Sequence, residues 1–265
     1  SIQLAAIKDE QGHEVLAPRS IHYDRLILAI GSVTADFGTP GVGDHCYFLD
    51  SLRQADEFHE HLLNEFLRVN QSIEDGKETK LSLSIVGGGA TGVELAAELI
   101  HSVSLLSIYG LSYLDQKHFE VRLIEAGKRL LPALPERLSK SVEKKLKSLG
   151  VEVILDNPVT EVKENTLVLS EGEPIQANLM VWAAGVRKNN QIEVNEYLQS
   201  VSDQSIYAIG DCAGCKIDDE RWVPPRAQSA HQMAECLYDN IVREYKGKSA
   251  KAFKYKDRGS LVSLS

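Results

Sequence analysis

The sequence predicts an α/β fold built on a parallel sheet, and three features carry that prediction. Apolar strand-like runs alternate with amphipathic helix-like runs between residues 81 and 183, the rhythm of βαβ units. A glycine-rich turn, Gly87-Gly88-Gly89-Ala90-Thr91-Gly92, follows an apolar strand and opens a helix. The strand-then-helix pattern restarts at Ser205. Such alternation leads us to expect helices on both faces of the sheet.

In chain order, residues 1–31 predict short strands, with a hairpin turn at Lys8-Asp9-Glu10-Gln11-Gly12 and a core strand at Leu26-Ile27-Leu28-Ala29-Ile30. Residues 36–45 are rich in turn formers and suit a link between domains. Leu52, Ala55, Phe58, Leu62, Phe66 and Leu67 recur at helical spacing, so a helix is expected over 51–70, followed by a polar loop over 71–80. A strand over 83–86, the glycine turn and a helix over 91–104 come next, then a strand over 121–125, a helix over 136–148 and a strand over 151–155. Residues 159–162 and 166–169 alternate around Glu164-Asn165 as a hairpin does, and 179–183 reads as a buried strand. A strand over 206–209, a loop through Pro224-Pro225 and a helix over 227–245 complete the pattern.

Bulk properties exclude several classes. A formal charge of -9 argues against nucleic acid, whose phosphates demand clustered Lys and Arg. Four cysteines in 265 residues do not make a disulfide scaffold, which points to a reducing compartment. The most apolar stretch, 81–114, is interrupted by Glu94, Glu98, His101 and glycines, so it does not read as a membrane span of about 20 apolar residues. Ser1-Ile2-Gln3-Leu4 has no basic region leading into an apolar run, so no signal peptide is expected, and the chain is expected to begin inside a domain.

The glycine turn is the strongest signal. Gly87 permits the tight turn, Gly89 lets a diphosphate approach the backbone, and Gly92 lets the helix pack on its strand. The helix N-terminus then offers N–H groups and positive dipole to the phosphates. The next strand ends at Glu125, where a carboxylate accepts ribose hydroxyls and repels a 2′-phosphate, favouring NADH; a plain surface carboxylate is the alternative. Glu125 lies further from Gly92 than the usual spacing, so the surplus must sit in 105–117 as helix extension or loop. Glu94, in the first helical turn, is satisfied by the helix dipole alone, or it sits beside the nicotinamide and steers the ring or relays a proton.

Two flanking motifs extend the pattern. Tyr23-Asp24-Arg25-Leu26-Ile27-Leu28-Ala29-Ile30-Gly31 resembles the strand motif of flavin-dependent pyridine-nucleotide reductases, with Ile30 replacing the usual Thr. Ile206-Tyr207-Ala208-Ile209-Gly210-Asp211 resembles their second flavin motif. Asp36-Phe37-Gly38-Thr39-Pro40-Gly41-Val42, Val181-Trp182-Ala183-Ala184-Gly185-Val186, the run from Pro224 to Gln232 and Tyr255-Lys256-Asp257-Arg258-Gly259-Ser260-Leu261 are similar to type II NADH:quinone oxidoreductases in particular.

The resemblance implies a Rossmann-like NADH-binding domain, with a parallel sheet and a β-hairpin layer, inserted in an incomplete FAD-binding domain. The expected division is 1–45 and 201–265 for the FAD-binding part and 46–200 for the NADH-binding domain. Carried over by position, Gly31, Gly210 and Asp211 would touch FAD, while Gly87, Gly89, Gly92 and Glu125 would hold NADH. Ala184 and Gly185 would allow backbone approach to the nicotinamide. Ala227 and Gln228 would sit at the flavin's pyrimidine end beside the quinone; ordinary N-terminal helix positions are the alternative for Gln228 and His231. Glu94 and Gln228 are the catalytic candidates.

The implied reaction passes hydride from NADH to FAD and then two electrons to a membrane quinone, without proton pumping, at the cytoplasmic face of the inner membrane. Membrane attachment is expected through segments outside this chain, as is a second, upstream glycine fingerprint for FAD; a homodimer stays open. The chain by itself is expected to bind NADH weakly and FAD poorly or not at all. Cys212-Ala213-Gly214-Cys215 has redox-pair spacing, but no second pair exists to complete a zinc site, so no metal is expected and Cys212 is expected to pack as a small apolar residue. Cys46 and Cys236 are expected to be structural. The competing functions are a reductase of a ferredoxin or redoxin partner, a disulfide reductase, and a non-catalytic dinucleotide-sensing protein.

Overall fold

The computed structural model describes residues 1–185, 191–259 and 261–264. The chain divides into two compact units, 1–32 with 188–258, and 33–187 with 259–265. The unit borders therefore fall near 32 and 187, where borders at 45 and 200 are expected from sequence. Residues 33–45 belong to the second unit because Trp182 Nε1 donates to Ala35 O (2.8 Å) and Ala35 N–H to Gly185 O (3.0 Å).

The first unit opens with two antiparallel ribbons, β1 (Ile2–Leu4) with β4 (Arg19–Ile21) and β2 (Ile7–Lys8) with β3 (Glu14–Leu16). β5 (Leu26–Leu28) waits for a parallel partner from far along the chain.

The second unit starts with a short helix α1 (Val42–His45) and the long α2 (Leu52–Glu74). Ser51 caps α2 by accepting the Gln54 N–H. This helix runs four residues past the predicted end because Ile73 continues the inward stripe of Phe58, Leu62, Phe66 and Val69. Leu52 and Leu67, counted as core positions by spacing, are exposed. β6 (Leu81–Val86), α3 (Ala90–Leu105), β7 (Phe119–Ile124), α4 (Glu136–Ser148) and β8 (Glu152–Ile154) follow. The surplus before Glu125 is taken up by single 3₁₀ turns at Leu106–Tyr109 and Gln116–His118. The antiparallel β9 (Val159–Lys163), β10 (Thr166–Leu169) and β11 (Ile175–Gln176) come before β12 (Leu179–Trp182), with Asn165 supplying positive φ at the β9–β10 turn.

β12, β6, β7 and β8 form one parallel sheet in that order. Its period-2 alternation sorts the side chains cleanly. Leu81, Leu83, Ile85, Val121, Leu123, Leu179 and Val181 pack with the inward faces of α2 and α3 and with Leu146 of α4. Val86, Ile124, Met180 and Trp182 face the other way, onto Val159, Val162 and Leu167 of the β9–β11 layer. Among the described residues the longer helices α2, α3 and α4 therefore cover one face, and the β9–β11 layer with the short α1 covers the other, correcting the expectation of a helical layer on both. The run Ala90–Tyr109 is long and apolar enough to cross a bilayer by length and composition, contrary to the sequence count. Here its Val93, Ala96, Ala97, Ile100 and Val103 are buried in the sheet's core.

The chain then returns to the first unit with β13 (Ile192–Val194), β14 (Ile206–Ala208), β15 (Ala213–Cys215) and α5 (Ala227–Tyr245). β14 pairs in parallel with β5, and β13 with β15. Val194, Leu198, Tyr207, Cys212, Met233 and Leu237 form its core.

Candidate functional site

The glycine turn lies at the carboxyl end of β6, the edge where open α/β sheets receive ligands. Gly87 has φ +119, and a Cβ there would come within 2.6 Å of the Ala183 carbonyl. Both the backbone angle and the neighbouring chain thus demand glycine. A Cβ on Gly92 would lie 2.0 Å from Gly87 O, so the helix packs onto its own turn only without a side chain. Gly89 differs: nothing lies within 4 Å of its missing Cβ. It stands at the N-cap of α3 with no side chain capping the helix, so the terminus presents backbone donors to open space.

Glu125 does something the sequence does not display. Its Oε2 accepts the Gly88 N–H at 2.6 Å and its Oε1 accepts the Gly127 N–H at 2.7 Å. The half-buried carboxylate therefore braces the glycine loop through charge-assisted bonds, each oxygen keeping further acceptor capacity. Leu131, itself at φ +49, donates its N–H to Gly88 O (2.8 Å) and closes the loop from the other side.

Ala184 and Gly185 follow β12 at the same edge. Gly185 has φ +58, and a Cβ on it would meet the Phe37 ring at 3.3 Å. Gly87, Gly89, Gly92, Glu125, Ala184 and Gly185 are thus gathered along one edge of the sheet. Glu94 lies one turn along α3, where its Oε1 accepts the Ser263 N–H at 3.0 Å. Val262 and Leu264 pack on the same unit's core.

In the first unit, Gly31 (φ +69) and Gly210 (φ +74) follow β5 and β14, again at strand carboxyl ends. No atom lies within 4 Å of a Cβ on Gly31. Ser32 Oγ donates to Asp211 Oδ2 (3.0 Å), and Gln191 Nε2 donates to Asp211 O (2.9 Å). Ala227 begins α5, whose N-cap Arg226 provides no side-chain cap. Gln228 is committed to the tail: its Oε1 accepts the Arg258 N–H (3.0 Å) and its Nε2 reaches Asp257 Oδ1 (3.4 Å). Gln232 clasps the Lys256 backbone through both amide atoms, and Asn240 does the same to Lys251. Three amides on one helix thus grip residues 251–258. A cavity of about 960 Å³ lies nearby, lined by Gln191, Gly214, Trp222, Pro224, Pro225 and Tyr255.

All four cysteines are free thiols. Burial pushes the Cys46 thiol up to about 12; burial, then the neighbouring Cys236, pushes Cys215 up to about 11. Among the described residues no His, Cys, Asp and Glu group could hold a metal ion. Val186 and Ser260, which belong to two of the sequence motifs, lie outside the described residues.

Spacing alone does not single out Leu131, Trp182, Gln232 and Asn240. A buried amide at a helical core position is the signal that marks Gln232 and Asn240; Leu131 acts through its backbone N–H, and the Trp182 indole N–H finds a backbone acceptor, Ala35 O, which carries no residue code.

A glycine loop braced at the edge of a parallel sheet, in a chain of two interleaved units, defines an α/β protein of the dinucleotide-binding class. The sequence matches the pyridine nucleotide-disulphide oxidoreductase family over residues 5–234, and the chain belongs to that family. It is 45% identical over 290 residues to the type II NADH:quinone oxidoreductase of Haemophilus influenzae, covering 100% of this chain and 65% of that protein. It is 32% identical over 259 residues to the type II NADH:quinone oxidoreductase of Staphylococcus aureus, covering 91% of this chain and 63% of that protein. The chain therefore spans just under two thirds of the length of these curated relatives. The structure of NDH2 from Plasmodium falciparum in complex with NADH shares the fold at a TM-score of 0.78 with 20% identity, over 97% of this chain and 70% of that one.

Proposed function

We propose that this chain forms the NADH-binding unit and part of the FAD-binding unit of a flavin-dependent NADH dehydrogenase that reduces quinone. The observation that carries the reading is the glycine loop, shaped at Gly87, Gly89 and Gly92 and braced by Glu125. Its likeness to type II NADH:quinone oxidoreductases along the whole chain supports the acceptor.

Each residue has a defined task. Gly89 and the first turn of α3 bind the diphosphate, and Glu125 receives the adenosine ribose while rejecting a 2′-phosphate by charge. Ala184 and Gly185 keep side chains out of the nicotinamide's path. Glu94 stands one turn beyond the diphosphate, where its carboxylate orients the ring or holds a proton. FAD suits the first unit: nothing fills the space beside Gly31, and Asp211 is held by Ser32 with acceptor capacity left for a flavin side-chain hydroxyl. When bound, FAD supplies hydride acceptance from NADH and two-electron return to quinone. Ala227 and Gln228 place the start of α5 against it, with the Gln228 amide oriented by Asp257 and Arg258.

A lipid-soluble acceptor puts the enzyme at a membrane surface, peripherally and on the cytoplasmic side where NADH is found. Electrons pass without proton pumping, because both half-reactions use one flavin and no charge need cross the bilayer. Segments outside this chain supply the attachment, and a homodimer is compatible with it.

The test is acceptor choice by the full-length protein. A short-chain quinone should be reduced by NADH much faster than a redoxin or a disulfide is. Equal or faster reduction of a redoxin would overturn the quinone assignment.

A further inference from the structure

Phe37 combines three properties that rarely occur together. Asp36 O accepts the Thr39 N–H (2.9 Å), closing a four-residue turn whose middle residues, Phe37 and Gly38, have φ +53 and +73. Positive φ at both middle positions is the pattern that selects Asn and Gly, and a bulky side chain there is strained. The ring gains little burial in return, for Phe37 is 69% exposed. Its ring edge nevertheless lies against Gly185, close enough that a Cβ there would approach within 3.3 Å.

The turn is held firmly. Trp182 Nε1 grips Ala35 O, the Asp50 carboxylate accepts from Thr34 N–H and Oγ, and Asp36 Oδ1 accepts the Gly38 N–H. The exposed ring is therefore presented at a fixed place, and surroundings that enforce a strained residue are a mark of functional sites.

That place is defined by the sheet. Glu125 at the end of β7 marks the adenosine side, and the glycine turn at the end of β6 marks the diphosphate. In the order β12-β6-β7, the remaining half of a dinucleotide must extend over the end of β12, where Ala184 and Gly185 lie. The geometry points to Phe37 as a cofactor-positioning residue whose ring walls the nicotinamide–ribose end of NADH beside Gly185. The inference rests on the NADH reading above and adds to it a contact that sets the ring's position. An aromatic wall supplies apolar area and stacking at little entropic cost, since Phe has only two side-chain torsions.

The experiment uses the full-length flavoprotein and the rate of flavin bleaching against NADH concentration, with thermal melting measured on the same samples. Phe37→Gly relieves the backbone strain and removes the ring, so stability and binding should move in opposite directions. The melting temperature should hold or rise, while the NADH concentration for half-maximal bleaching rises about tenfold. Phe37→Asn, which also suits the turn, should behave the same way, and Phe37→Tyr should stay within about twofold of the native protein. Bleaching by native protein with an unchanged half-maximal concentration in both Phe37→Gly and Phe37→Asn would overturn the inference alone. Native protein that NADH does not bleach would overturn the NADH reading and this inference with it.

Discussion

Each of the two units has its own kind of internal scaffold. The second unit is a continuous parallel sheet with a core on each face, and its glycine-loop edge is fixed by backbone shape: Gly87 and Gly92, which admit no side chain, and a carboxylate that grips backbone N–H groups. Among the described residues the first unit has only two-stranded pairings, and Ile27 and Ile30 are exposed. Its α5 compensates with Gln228, Gln232 and Asn240, which hold residues 251–258 by side-chain amides. Strand order builds the first kind of site; side-chain complementarity builds the second. The two should fail differently.

The largest effect is expected at the glycine edge. Gly92→Ala forces a methyl into the Gly87 carbonyl, so the second unit should lose about 3 kcal/mol, at the upper end of overpacking costs. NADH binding should weaken by far more than melting alone explains, because the diphosphate loop itself moves. Titration at a temperature where the variant remains folded checks this; unchanged affinity would break the contrast.

A smaller effect belongs to the clasp. Gln232→Ala leaves the N–H and C=O of Lys256 without their partner amide, and Asn240→Ala does the same at Lys251. Each should cost about 1–3 kcal/mol and raise hydrogen exchange selectively over 251–258, leaving 81–125 protected.

The last effect shows only in alkali and vanishes at neutral pH. A thiol whose proton is held more tightly in the folded state favours folding fully below its unfolded pKa and ceases to do so as pH climbs through the folded value. With Cys215 raised from 9.0 to about 11, stability should decline between roughly pH 9 and 11. Cys215→Ala should make that limb shallower in melts taken across the range, leaving the part set by Cys46.

The sequence makes the second unit's edge legible because its glycine spacing encodes sterics directly. Gly87 and Gly92 stand where a Cβ cannot, and the strand-end position of Glu125 is visible from hydropathy alone. The bond from Glu125 to Gly88 and Gly127 is not visible, because its donors are backbone N–H groups that any residue could supply. The unit border near 32 is hidden for a related reason: it depends on Trp182 reaching Ala35 across 147 positions. The helix α2 outlasts its predicted end because one apolar residue, Ile73, outweighs a polar neighbourhood. Gln228 is marked in the sequence only as a candidate, and its commitment to Asp257 and Arg258 depends on a tail thirty residues away.

The most direct test of the central claim is a comparison of NADH and NADPH binding by the full-length protein and by Glu125→Gln. The native protein should bind NADH at least about tenfold more tightly than NADPH; the variant should bind NADH more weakly and lose most of the preference. Equal binding of both dinucleotides by the native protein, or an unaltered preference in the variant, would contradict the role given to the braced glycine loop.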